Sequence, residues 1–74
     1  MLTPQQLEEA RTKLAGFLKQ KRKEKRLTSQ QLADKVGIMQ PSLGRIESGK
    51  FWVTMPILLK ICVILEIKMF EDGI

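Results

Sequence analysis

The sequence predicts an all-α fold, a compact bundle of about five short helices, and three observations carry that expectation. Apolar residues recur at three- and four-residue spacing through successive segments, the mark of helices that turn one face to a core. Each segment opens on a threonine or a proline of the kind that starts a helix. The one β-branched run that would suit a strand, Ile61 to Ile67, has no second strand pattern to pair with. With 74 residues the chain is expected to form one domain over 1–74. A chain this short buries only about 60% of its unfolded surface, too little for a second core.

The first helix is predicted over about 4–25. Thr3 caps it, Pro4 takes its first position, and Gln6 stands three residues past the cap, where it closes a capping box. Leu7, Ala10, Leu14, Phe17 and Leu18 fall on one stripe, expected to face the core. Thr28 caps a second helix over 29–36, with Leu32, Ala33 and Val36 on one face. Gly37 ends it, because a residue without Cβ can take the left-handed conformation that closes a last turn.

Ile38 is expected to pack inward ahead of a third helix over 40–48, with Pro41 in its first turn and Gly49 after its end. Phe51-Trp52-Val53 then forms a loop, Thr54 caps a fourth helix over 54–65 that carries Pro56 in its first turn, and a short fifth turn is expected at 67–71.

Charge and missing residue types narrow the function. Lysine and arginine number 13 against 8 acids, a net of +5, yet segment 11–50 holds eleven bases and three acids, a local +8. The two ends together carry −3. A basic middle of this kind attracts a polyanion. The chain has no histidine and a single cysteine, Cys62, so no nucleophile–base pair, metal cage or disulfide framework can be assembled. No enzyme activity, metal or cofactor is expected. Nothing at the N-terminus has the order of a signal peptide, and the apolar run Phe51 to Leu65 is short and interrupted by Pro56 and Lys60. A soluble, cytoplasmic chain with no membrane partner is expected.

Two short helices joined by a glycine turn make a helix-turn-helix, which requires a small residue where the helices approach and aliphatics in the angle between them. Ala33, Gly37, Leu43 and Ile46 meet those requirements. The segment Leu27-Thr28-Ser29-Gln30-Gln31-Leu32-Ala33-Asp34-Lys35-Val36-Gly37-Ile38, followed by Ser42-Leu43-Gly44-Arg45-Ile46-Glu47-Ser48-Gly49-Lys50, resembles the lambdoid phage repressor and Cro type of helix-turn-helix, the XRE family. The resemblance runs from about Leu18 to Leu65. It implies a lambda-repressor-like bundle that binds double-stranded DNA as a homodimer, hence a transcriptional regulator, most simply a repressor on a palindromic operator.

By that resemblance the third helix is the recognition helix. Gln40, Pro41, Gly44 and Arg45 then face the bases, with glutamine suited to adenine and arginine to guanine. Thr28, Ser29, Gln30, Ser42, Ser48 and Lys50 are the expected phosphate contacts. The chain departs from the family at several places. Ser29 stands where a phosphate-holding glutamine is common, Met39 replaces a polar cap, Pro41 and Gly44 replace long polar side chains, and the loop after the third helix is aromatic. The family also pairs an arginine and a glutamate at the positions of Arg22 and Glu47, which implies a salt bridge between them.

The fourth helix is apolar nearly all round. Trp52, Ile57, Val63 and Ile64 are expected to form an exposed patch, a two-fold interface that would set the recognition helices about 34 Å apart. The alternative is a protein-interaction module, such as an antitoxin or coactivator that binds a toxin or other protein through its apolar C-terminal helix.

Overall fold

The structure is a computed structural model that describes residues 1–68. It contains α1 (Pro4–Glu24), α2 (Ser29–Val36), α3 (Gln40–Glu47) and α4 (Met55–Ile64), and the described residues include no strand. The expectation of about five helices is corrected to four among the described residues. Ile67 and Lys68 are irregular, and the rest of the expected fifth turn lies outside the described residues.

Both predicted capping starts at Thr3 and Thr28 are built as reciprocal boxes. Thr3 Oγ1 accepts from the Gln6 amide at 3.1 Å while Gln6 Oε1 accepts from the Thr3 amide at 2.8 Å. Thr28 and Gln31 repeat the same pair of bonds at the same two distances. Each such cap stabilises its helix by about 1 kcal/mol. Thr54 holds the N-cap position of α4, but its side chain makes no capping bond, and Pro56 with the Thr54 carbonyl supplies the start instead.

All four helices end the same way, with a left-handed residue that lets the following amide bond back into the last turn. These residues are Arg26, Gly37, Gly49 and Glu66, and the amides that follow them return to Arg22, Ala33, Arg45 and Cys62. Two of the four are not glycine, which the sequence did not signal.

Leu18, Leu32, Leu43 and Ile61 are fully buried and join Ala33, Val36, Leu58, Cys62 and Leu65 in one core. Each large aliphatic contributes about 1.5–3 kcal/mol on burial. The core is assembled by α2 packing on both α3 and α4, with α1 laid across α3. The stripe expected on α1 needs correction: Leu18 is buried and Leu14 half-buried, but Leu7, Ala10 and Phe17 are exposed. The face that packs is Leu14, Ala15, Leu18 and Arg22, rotated from the predicted stripe. The first two turns of α1 bury no residue, so periodicity there has nothing to pack on.

Candidate nucleic-acid interface

The angle between α2 and α3 is set by Ala33, which is fully buried, and by Gly37, whose φ of 89° no ordinary side chain adopts cheaply. Leu43 fills the space between the helices and Ile46 packs half-buried beside it. With those positions spent on packing, α3 presents Pro41 and Arg45 to solvent, with Ser48 exposed at its C-cap and Gln40, Ser42 and Gly44 at its half-exposed edges.

Each candidate contact sits in a definite environment. Gln40 Nε2 donates to Ser29 Oγ at 3.0 Å, which ties the first residue of α3 to the first residue of α2. A Cβ on Gly44 would lie 3.9 Å from the same Nε2, so the glycine keeps ordinary contact distance beneath the amide. Thr28 spends its hydroxyl acceptor on the cap of α2. Gln30 Nε2 donates along the helix to Asp34 Oδ1 at 2.8 Å. Ser48 Oγ donates to the Arg45 carbonyl at 3.1 Å. Arg45 and Lys50 are exposed, and among the described residues neither side chain is engaged in a salt bridge.

Arg22 holds α3 in place from behind. Its Nε donates to Glu47 Oε2 at 2.8 Å and its Nη1 to the Leu27 carbonyl at 2.7 Å, with the arginine and the glutamate both buried. The end of α3 is therefore fastened to the end of α1. A second clamp escaped the sequence reading: Arg11 Nε donates to the Gly49 carbonyl at 2.6 Å. Thr12 Cα lies 3.3 Å from where a Gly49 Cβ would be, so α1 passes close against this turn. No local pattern announces a bond across 38 residues. The Thr28 cap was expected, and its completion as a box by Gln31 has the same three-residue spacing as Thr3 and Gln6.

A helix-turn-helix family model matches residues 18–71, most of the chain. The chain belongs to that helix-turn-helix family. The family, XRE-type, is one of DNA-binding transcription regulators. Comparisons with curated proteins and with solved structures give no match. In this helix-turn-helix protein the matched span covers Glu47 and Gly49, the partners of the two clamps, and all of α2 to α4. No helix among the described residues is long and apolar enough to cross a membrane, and no cluster of metal-ligand side chains occurs among them.

The four residues of the expected patch fall in different settings. Val63 is 62% exposed, Ile57 and Ile64 are half-buried against the core, and Trp52 is half exposed. Trp52 and Ile57 line a hollow with Arg45 and Ser42, whereas Ile64 lines another with Lys25, Leu27 and Lys35. The outward face of α4 is Pro56, Lys60 and Val63, flanked by Leu59 and Ile64.

Proposed function

We propose that the protein is a sequence-specific transcriptional regulator, a repressor, that enters the major groove of a palindromic operator with α3 as a homodimer. The observation that carries this reading is the free outward edge of α3. Arg45 is unpaired among the described residues, and Gln40 is oriented by Ser29 rather than left to swing. Gln40, Pro41, Gly44 and Arg45 face the bases. Thr28, Ser29, Gln30, Ser42, Ser48 and Lys50 surround them as phosphate contacts. A preoriented amide loses little freedom on binding, and an unpaired guanidinium has no ion pair to break before it meets a base edge.

Because Pro41 and Gly44 carry no polar side chain, direct readout rests on Gln40 and Arg45. DNA shape supplies the remainder of the specificity. The two-fold contact is made by the outward face of α4 around Val63 and Ile64. The protein works without a cofactor in the cytoplasm of a bacterium, as a bacterial or phage-derived regulator, and is not an enzyme.

Selection of bound sequences from a random duplex pool tests the proposal. The expected result is an enriched palindrome whose half-sites are one helical turn apart. Recovery of an unenriched pool would overturn it.

A further inference from the structure

Phe51 and Trp52 remain 57% and 50% exposed in a loop that is otherwise firmly held. Val53 packs against the core behind them, and the Arg11 bond to Gly49 fixes the loop's entry. The aromatic pair is thus presented between two anchored positions. It forms one wall of a hollow of about 280 Å³ between α3, the loop and α4. Ile38, Ile46 and Ile57 make the apolar floor, and Ser42, Arg45 and Thr54 complete the rim. No acidic residue lines it, and Arg45 has no carboxylate partner among the described residues.

We propose that this hollow docks an acidic amphipathic helix from a partner protein, and that the docked helix takes Arg45 away from DNA. The lining defines the occupant's chemistry. A floor of three isoleucines beside Phe51 and Trp52 takes one or two bulky apolar side chains. A lone guanidinium at the rim takes a carboxylate, in the bidentate pairing that arginine favours. An amphipathic helix carries both groups on one face at three- or four-residue spacing. Segment 11–50, which supplies four of the eight lining residues including Arg45, carries a local charge of +8, and such a charge draws an acidic partner in and repels a basic one. Since one guanidinium cannot serve a partner carboxylate and a guanine edge together, the two complexes exclude each other. That second half rests on the reading of Arg45 as a DNA contact.

Trp52 is the only tryptophan in the chain, and there is no tyrosine, so intrinsic fluorescence reports on the hollow itself. The full chain is titrated, without DNA, with a synthetic helical peptide that repeats leucine and glutamate at four-residue spacing. A counterpart peptide carries lysine in place of glutamate. The expected result is a saturable blue shift with the glutamate peptide and none with the lysine peptide. Affinity should fall at least tenfold in Arg45→Ala and in Thr54→Glu. Both positions are exposed, so far-UV circular dichroism should stay native. An absent response, an equal response to the lysine peptide, or unchanged affinity in both variants overturns docking.

Because DNA is absent from that titration, its outcome does not depend on the regulator reading. A second arm adds the glutamate peptide to a complex with a selected duplex, and displacement is expected. A duplex that stays bound at saturating peptide overturns the exclusion. If Trp52 instead responds only to DNA, and Trp52→Ala weakens duplex binding tenfold, the hollow is a DNA contact and the docking proposal is overturned.

Discussion

Arg22 Nε and Glu47 Oε2 lie 2.8 Å apart with both side chains buried, so the end of α3 is oriented by an ion pair reaching back 25 residues. Glu47→Ala leaves the guanidinium buried with only the Leu27 carbonyl for company. A loss of about 3–5 kcal/mol is expected, because the uncompensated charge keeps its desolvation cost. The double variant Arg22→Met, Glu47→Leu should lie closer to the wild type in stability than either single change. Urea unfolding of the four proteins checks both statements. A Glu47→Ala loss below about 1 kcal/mol would make this pair no stronger than an exposed one.

Readout of bases and of phosphates should separate cleanly by residue. Arg45→Ala and Gln40→Ala are each expected to cost about 1–3 kcal/mol on a selected duplex and far less on random DNA. Ser29→Ala frees the Gln40 amide and removes a proposed phosphate contact, so it should weaken both duplexes and lose more on the selected one. Lys50→Ala should weaken both duplexes alike and flatten the salt dependence by about one phosphate contact. Fluorescence anisotropy at several salt concentrations provides the measurement. Equal losses on both duplexes for Arg45→Ala would remove its base-reading role.

The helix boundaries and the core of α2 to α4 were legible because they are decided locally: caps, glycine stops and a 3.6-residue period act within a few residues of themselves. Leu32, Ala33, Val36 and Leu43 therefore fell where the pattern put them. The stripe on α1 misled because periodicity reports which residues could share a face, not whether another element is there to cover it. Leu7 lies in the first two turns, which bury nothing, and Phe17 is exposed on the side of α1 where the Lys21 ammonium sits over its ring. The left-handed Arg26 and Glu66 were illegible for the opposite reason: nothing in those side chains marks the conformation that their helix ends impose. Of the candidate site, the outward positions of α3 followed from its packed face. The bond of Gln40 to Ser29 and the clamp of Arg11 on Gly49 needed the tertiary structure.

Two glycines should respond to alanine with opposite signs. Gly16 sits within α1 with open space where a Cβ would go, so Gly16→Ala should stabilise by about 1 kcal/mol through helix propensity and a less mobile unfolded chain. Gly49 has a φ of 78°, and its added Cβ would meet the Thr12 backbone at 3.3 Å. Gly49→Ala should therefore destabilise by more than about 1 kcal/mol. Thermal unfolding of the two variants decides it, and a common direction of change would refute the packing described at this turn.

Cys62 gives stability a pH dependence of known sign. Burial pushes its thiol above the ordinary value of 9.0 by disfavouring the thiolate. The folded state therefore holds the proton to higher pH than the unfolded state does. This contribution is fully present below the unfolded pKa and disappears as pH rises through the folded one. The wild type should lose stability more steeply than Cys62→Ala above about pH 8.5, where free thiols begin to ionise. Below that, alkylation of the native protein should be slow and should track unfolding. Parallel stability–pH curves for the two proteins would exclude the effect.

The proposed assembly is tested on the outward face of α4. Val63 is its most exposed large apolar side chain, with Leu59 and Ile64 half-buried beside it and Lys60 as the charge nearest the centre. A two-fold contact at this face would leave both α3 edges free, and burying Val63 and its neighbours from two copies supplies the association energy. An interface on the Trp52 side would cover Arg45, which lines the same hollow, and so would exclude DNA binding by the dimer. Multi-angle light scattering at tens of micromolar is expected to give a dimer for the wild type. The Val63→Lys, Ile64→Lys variant should be a monomer that still binds a half-site weakly. Trp52→Ala should remain dimeric, since its side chain faces the hollow beside α3. A wild-type monomer, or a lysine variant that stays dimeric, would eliminate the α4 contact, and a Trp52→Ala monomer would move the interface to the recognition-helix side.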